Sequence, residues 1–262
     1  MKQKILFFDV DGTIVTSDHR IPPSAVEALS LAKQAGHITV VNTGRPFNHV
    51  EPQIKALPFS GFVCSCGGHI ICDGKILYHN GFSHSESSYI RSVGKEIGLT
   101  MLFESEHGVS LDSSFYVPYP EHEIKRMREF GVQLLENIDA DDFAFDKVCC
   151  WGAEGEKKEV LISELGARLD FIEREHGMLE CVPKGQSKAN GMEKMMCLLG
   201  FSPEDSFAFG DSNNDYPMMQ MAGKSIAMGN APDSLKASSD YVTDDVECDG
   251  LFNAMKHLDL LG

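Results

Sequence analysis

The sequence predicts an α/β protein, a doubly wound parallel sheet interrupted by a second, inserted α/β domain. Three observations carry this reading. Strand and helix patterns alternate with short links at both ends of the chain, which favours a parallel sheet covered by helices. Acidic or hydroxyl-bearing turns follow several predicted strands, at the sheet edge where open α/β folds bind ligands. The middle segment, 82–185, mixes helices and strand-like runs but lacks such strand-end carboxylates.

Lys4–Val10 is a short apolar run ending in acid and reads as a strand buried on both faces. Pro22-Pro23-Ser24 opens a helix to Gln34, with Ala25, Leu29 and Ala32 on one face and Gly36 as its stop. His37–Val41 is the next strand, ended by Asn42-Thr43-Gly44, and Pro46 is expected to start another helix. In the middle, helices are expected near Glu86–Ile97, Glu121–Phe130 and Lys157–Leu165. The strand-like runs there are Thr100–Phe103, Phe143–Cys150, Arg168–Ile172 and Leu179–Val182. Alternation then resumes: helix Ser187–Leu199, strand Ser206–Phe209, loop Gly210-Asp211 and helix Asn214–Met221. Lys224–Met228, a helix from Pro232, Tyr241–Val242 and helix Leu251–Leu258 complete it. The expected division is therefore a core of 1–81 and 186–262 around a domain of 82–185, with hinges at Gly81 and Pro183-Lys184-Gly185.

The chain has 262 residues, 42% of them hydrophobic, enough for a substantial core. Against 39 Asp+Glu stand 23 Lys+Arg, a formal net charge of −16. Such a surface repels phosphate backbones and anionic lipid, so nucleic acid and membranes are not expected partners. No apolar run approaches the roughly 20 residues of a membrane span. Near the start, the run Ile5–Phe8 stops at Asp9, too short for a secretory signal. Together with eight cysteines, read as reduced thiols, this gives a cytoplasmic expectation.

The strongest chemical signal is Asp9-Val10-Asp11-Gly12-Thr13 directly after a buried strand. Gly210-Asp211-Ser212-Asn213-Asn214-Asp215 supplies a second carboxylate pair in the same position. Singly, each is compatible with an ordinary acidic turn or helix cap. Together they place four carboxylates at neighbouring strand ends, where mutual repulsion calls for a hard cation; oxygen ligands suit Mg²⁺. Thr43-Gly44, after a strand and before Pro46, offers a hydroxyl and backbone N–H groups to an anion. Lys188, at the start of its helix, can reach the same crevice, although alone it would pass for a surface lysine.

DVDGT, then TGR, then the lysine of GQSK, then GDSNND resemble, in order and spacing, the four motifs of the haloacid-dehalogenase-like phosphatases. The fit is especially to the Cof-type subfamily, with its α/β cap of the C2B type inserted between the second and third motifs of a Rossmann-like core. The late segment Met228-Gly-Asn-Ala, Leu235-Lys and Asp240-Tyr-Val-Thr is also similar to that subfamily, so the resemblance covers the whole chain. It implies a phosphatase acting on small phosphate monoesters, sugar phosphates first, with the cap closing over the site. Asp9 would be the nucleophile forming an aspartyl phosphate and Asp11 the general acid and base. Mg²⁺ would be held by the Asp9 carboxylate, the Asp11 carbonyl and Asp211, with Asp215 close by or acting through water. Thr43, the Gly44 amide, Lys188 and Asn214 would hold the phosphoryl oxygens, and Arg45 would help to orient the substrate.

Two departures from the subfamily stand out: Asn42 where alanine is usual, and Cys66-Gly67-Gly68 where Asn-Gly-Ala is usual. Two alternatives share the motifs: a phosphotransferase or mutase using the same aspartyl phosphate, and a non-catalytic phosphate-ligand sensor. Cys64, Cys66, His69 and Cys72 raise a zinc alternative. A strand running through Cys64-Ser-Cys66 would instead bury both thiols on one face, and the spacing misses the paired C-x₂-C pattern, so packing is the expectation. Cys149-Cys150 read as strand filler, and Asp139-Ala-Asp141-Asp142 as a solvated turn.

Overall fold

The computed structural model describes residues 2–111, 121–129, 131–135, 144–173 and 177–262. The first region runs β1 (Ile5–Phe8), α1 (Pro23–Gln34), β2 (Ile38–Asn42), α2 (Pro52–Lys55), β3 (Gly61–Cys64), β4 (His69–Cys72) and β5 (Lys75–His79). The middle holds α3 (His84–Glu96), β6 (Thr100–Ser105), β7 (Gly108–Leu111), α4 (Glu121–Glu129) and β8 (Leu134–Leu135). It continues with β9 (Lys147–Trp151), α5 (Glu156–Leu165), β10 (Leu169–Glu173) and β11 (Leu179–Pro183). The last region runs α6 (Lys188–Leu199), β12 (Ser206–Gly210), α7 (Tyr216–Met221), β13 (Lys224–Ala227), α8 (Asp233–Ala237), β14 (Tyr241–Val242) and α9 (Gly250–His257).

These elements pack as two units. The first contains Met1–Gly44, Gln53–Tyr78 and Ser187–Gly262; the second contains Arg45–Pro52 and His79–Gln186. The chain therefore leaves the first unit a first time at Gly44, for eight residues, before the long excursion that begins at His79.

The first unit is built on an eight-stranded sheet ordered β14-β13-β12-β1-β2-β3-β4-β5. From β14 to β3 every pairing is parallel, whereas β4 returns antiparallel to β3. All four residues of β1 are fully buried, as a central strand covered on both faces requires. After β1 the chain winds one way to β2 and β3; after β12 it winds the other way to β13 and β14. The winding thus reverses between β1 and β12, where α/β sheets bind ligands. α1 starts with Pro23 in its first turn and buries Ala25, Ala28, Leu29 and Ala32. Met192, Met195, Met196, Met218 and Met219 from α6 and α7 join Ile5, Phe7, Val40 and Val63 in one core cluster.

The second unit has a six-stranded sheet ordered β10-β11-β9-β6-β7-β8, antiparallel except between β7 and β8. Opposed residues in such a sheet share a face. One face carries Met101, Phe103, Val148, Cys150, Leu179 and Cys181, packed with Ile90, Val93, Leu161 and Leu165 of α3 and α5. The other carries a smaller cluster around Leu102, Val109, Val132 and Cys149, with Met127 of α4 against it. α3 opens with a capping box, in which Ser83 and Glu86 each bond the other's backbone N–H.

Several expectations need correction. Pro46 does not start an α-helix; it precedes a three-residue 3₁₀ turn, Phe47–His49, and the next helical turn waits for Pro52. Cys64 and Cys66 do not share a strand. Cys64 ends β3, and Cys66 lies in a 3₁₀ turn with φ 53°, so alternation along a strand does not apply. The helix expected from Asn214 begins as a 3₁₀ turn, Asn213–Asp215, and becomes α-helical at Tyr216. The turn at 139–142, Phe130 and Phe143 lie outside the described residues.

Candidate active site

β1 and β12 run side by side, with Phe8 opposite Phe209, and the Asp9 amide donates to the Phe209 carbonyl at 3.0 Å. Asp9 and Asp211 therefore leave adjacent strand ends into one crevice. After Asp9 the chain turns tightly: the amides of Ile14 and Val15 both donate to the Val10 carbonyl at 3.0 Å. Gly12 is required at the turn. Its φ is +81°, and a Cβ there would lie 2.2 Å from Asp211 Oδ2. Gly210 meets a second limit, since its Cβ would fall 2.6 Å from the Asp215 Cβ. Both glycines let carboxylates approach backbone more closely than any side chain permits.

Asp215 has no solvent exposure and is fully engaged. Its Oδ2 accepts the amides of Asp211 (3.1 Å) and Ser212 (3.0 Å) and the Ser212 hydroxyl (3.2 Å), so it folds its own loop. Its Oδ1 accepts from Lys188 Nζ at 2.6 Å, and the same ammonium donates to Asp9 Oδ1 at 2.5 Å. Lys188 is itself only 6% exposed. Ser187 starts its helix by accepting the Asn190 amide at 3.1 Å. Asp211 Oδ1 accepts from Thr13 Oγ1 at 3.0 Å, joining the two acidic loops.

Asp9, Asp211 and Asp215 each bring a carboxylate oxygen within 4.8 Å of the others. Burial first, then the charge of Asp215, pushes Asp9 up to about 6. Burial and the charges of Asp9 and Asp215 push Asp211 up to about 7. Burial alone would lower Lys188, but Asp215 and Asp9 outweigh it and hold its pKa above the ordinary value. Three carboxylates around one ammonium leave an excess of negative charge in a nearly dry place. An all-oxygen donor set with that excess fits a hard divalent cation.

Thr43 follows β2 directly, 3% exposed, and its amide donates to the Val63 carbonyl at 2.9 Å. The Thr43 N–H is therefore engaged within the fold. Gly44 follows it as the last residue of that segment of the first unit. Asp11 is exposed, beside the buried Asp9. Asn214 is also exposed, and its Oδ1 accepts from the Ser212 hydroxyl. Asp9, Asp11, Thr43, Gly44, Lys188, Asp211, Asn214 and Asp215 all belong to the first unit. Arg45 does not: it lies in the second unit, where its Nη1 meets the buried Glu51 Oε2 at 2.5 Å.

Three supporting residues escaped the sequence reading. Asn42, fully buried, donates from Nδ2 to the Lys188 carbonyl at 3.0 Å and so ties the end of β2 to the first residue of α6. Asn230 donates to the Gly12 carbonyl at 2.8 Å and accepts the Val246 amide at 3.1 Å, bracing the acidic turn from behind. Thr13 acts through Asp211. Thr13 and Asn230 sit inside motifs visible in the sequence, and Asn42 was visible as a departure; none has a local signal for its partner. The cysteines form no metal set: among the described residues, no group of three close ligand atoms contains Cys64, Cys66 or Cys72.

Comparison with known proteins agrees with this geometry. The chain is 27% identical over 257 residues to 5-amino-6-(5-phospho-D-ribitylamino)uracil phosphatase YcsE of Bacillus subtilis, covering 97% of this chain and 95% of that one. It is 25% identical over 271 residues to pyridoxal phosphate phosphatase YbhA of Escherichia coli, covering 96% and 97%. Among solved structures it is similar to the HAD subclass IIB sugar phosphatase BT4131, with a TM-score of 0.80 and 28% identity over 98% of this chain and 100% of that one. The haloacid dehalogenase-like hydrolase family matches residues 6–255, nearly the whole chain, and the protein belongs to that family.

Proposed function

We propose that this protein is a Mg²⁺-dependent phosphatase that hydrolyses small phosphate monoesters, sugar phosphates first, through an aspartyl phosphate on Asp9. One observation carries the reading: Lys188 Nζ holds Asp9 Oδ1 at 2.5 Å at the strand end where Asp211 and Asp215 converge. A carboxylate attacking a phosphate dianion faces like-charge repulsion, and this site gathers the means to cancel it. Likeness to phosphatases of a pyridoxal phosphate, a ribityl phosphate and sugar phosphates supports a small phosphate ester as substrate. All eight cysteines are free, which supports the cytoplasm as its compartment.

Asp9, Asp211 and Asp215, with the Asp11 carbonyl, would hold Mg²⁺, which when bound neutralises charge on the phosphoryl oxygens. Asp9 attacks phosphorus as the bond to the leaving oxygen breaks, and protonated Asp11 donates its proton to that oxygen. Asp11, now a carboxylate, takes a proton from water as the water attacks phosphorus and the bond to Asp9 breaks. Thr43, the Gly44 amide, Lys188 and Asn214 hold the phosphoryl oxygens. Arg45, held in place by Glu51, orients the rest of the substrate. We assign 82–185 as the cap and 1–81 with 186–262 as the catalytic core.

The test is phosphate release from an aryl phosphate and a panel of sugar phosphates with Mg²⁺ present, for wild type and Asp9→Asn. Wild type should release phosphate, and the variant should lose roughly 10³-fold or more with its circular dichroism unchanged. Undiminished turnover by Asp9→Asn would remove the nucleophile assignment. Phosphate appearing on an added sugar rather than in solution would make the enzyme a phosphotransferase.

A further inference from the structure

The second unit contains a cavity of about 500 Å³ that the phosphatase reading leaves without a role. His79, His84, Glu106, His107, Phe145 and Asp146 line it. Asp146 is the buried member, its side chain 6% exposed. Its Oδ1 lies 2.8 Å from His79 Nε2, while its Oδ2 is buried without a hydrogen-bond partner. A carboxylate facing Nε2 favours the tautomer protonated there, which turns the Nδ1 lone pair toward Glu106 Oε1, 3.9 Å away. His107 Nε2 lies 3.8 Å from that same Glu106 oxygen.

We infer that His79, Glu106 and His107 form a binding site for a divalent transition-metal ion of the zinc class, with Asp146 orienting His79. A histidine that binds metal through one ring nitrogen commonly donates its other N–H to a carboxylate, the arrangement Asp146 makes with His79. Ligands about 2.0–2.2 Å from a tetrahedral zinc stand about 3.4 Å apart, so each gap to Glu106 needs to close by only about half an ångström, while His79 and His107, which do not lie within 4.8 Å of each other, must also approach. The larger movement falls to His107, whose side chain is 80% exposed. A cation here also supplies the positive charge that the buried, half-partnered Asp146 lacks. Two imidazoles and a carboxylate select zinc, copper or nickel over magnesium, so the site differs in chemistry from the all-oxygen cluster after β1 and β12. Occupation would join His79, where the second unit resumes, to the turn between β6 and β7.

The test is calorimetric titration with Zn²⁺ in saturating Mg²⁺, in a Cys197→Ser, Cys248→Ser background that removes the two exposed thiols. One equivalent should bind. Glu106→Gln and His107→Ala, both at accessible positions, should each weaken binding roughly tenfold or more, and Asp146→Asn should do so through His79. Cu²⁺ bound in place of zinc should show imidazole nitrogen couplings in its electron paramagnetic resonance spectrum. No Zn²⁺ uptake, or uptake unchanged in Glu106→Gln and His107→Ala, would overturn the site and leave His79 as an ion-pair partner of two carboxylates.

Discussion

Lys188 in the first unit and Lys147 in the second are both buried, and each lies between two carboxylates. Lys188 is 6% exposed and meets Asp9 and Asp215; Lys147 is 4% exposed and meets Glu104, at 2.9 Å, and Glu180. Their settings differ. Glu104, Lys147 and Glu180 project from the same face of β6, β9 and β11, with Glu104 directly opposite Lys147 in the sheet register. His49 Nδ1 stands 3.5 Å from Glu104 and adds a further partner. The Lys188 cluster stands instead on loops beyond the strand ends, with a third carboxylate, Asp211, that the lysine does not contact. The same ion triplet is thus a cross-strand brace in mid-sheet and an incomplete charge balance at a strand end. The proposed chemistry falls to the second because the unmatched charge there can be matched by ligands.

Substituting each lysine gives the largest test of that contrast. Lys188→Met is expected to lower kcat/KM on an aryl phosphate by roughly 10²-fold or more. Lys147→Met should cost about 3–5 kcal/mol of stability, because it strands buried carboxylates. Turnover by the folded Lys147→Met protein should stay within about threefold of wild type. Steady-state kinetics beside denaturant unfolding separates the two, and equal activity losses would break the distinction.

Gly12→Ala comes next. With φ +81° and Asp211 Oδ2 2.2 Å from the new Cβ, it should displace the carboxylate cluster and lower turnover roughly 10- to 100-fold. Gly36→Ala is the control: φ is +88° but nothing lies within 4 Å, so stability should fall and activity should not. Equal effects of the two substitutions would mean that backbone strain, not closeness to Asp211, makes Gly12 necessary.

A smaller effect concerns pH. Without a divalent cation, Asp9 titrates at about 6 and Asp211 at about 7, both above the carboxylate value of 3.8. The folded state then holds protons that the unfolded chain has already lost, so these groups make stability fall as pH rises from about 4 to about 7. Mg²⁺ requires them ionised. It should therefore raise Tm more at about pH 8 than at about pH 5 and release protons on binding near pH 6–7. Thermal scans and calorimetry in two buffers measure both, and equal Tm shifts at the two pH values would show that the cluster is already ionised. The smallest expected effect is that of Asn42→Ala, which removes the bond to the Lys188 carbonyl. It should reduce kcat about 2- to 10-fold with KM nearly unchanged. A change in KM alone would assign Asn42 to substrate binding.

Much of the first unit was legible because its signals are local. A four-residue apolar strand, a proline in the first helical turn and a glycine after the last turn each act within a few residues. The turn at Pro46 misled because proline is as compatible with a 3₁₀ turn as with a helix, and Phe47–His49 belongs with the second unit. The hairpin of β4 and β5 carries a local sign, Asp73-Gly74, a two-residue hairpin turn with both residues at positive φ. In the second unit, sheet order and the pairing of Glu104 with Lys147 join residues 43 positions apart and leave no local trace.

The sequence by itself determined the two acidic turns, the lysine and the residue types that suit a cation and a phosphate. These follow from composition and short-range geometry, which a chain carries wherever it folds. Only the tertiary structure decided that Lys188 bridges Asp9 and Asp215, that the Val63 carbonyl takes up the Thr43 amide, and that Arg45 faces Glu51 in the second unit. The reason is physical. Burial and charge–charge distances set which groups are paired and which are left over, and both are fixed only when distant strands meet.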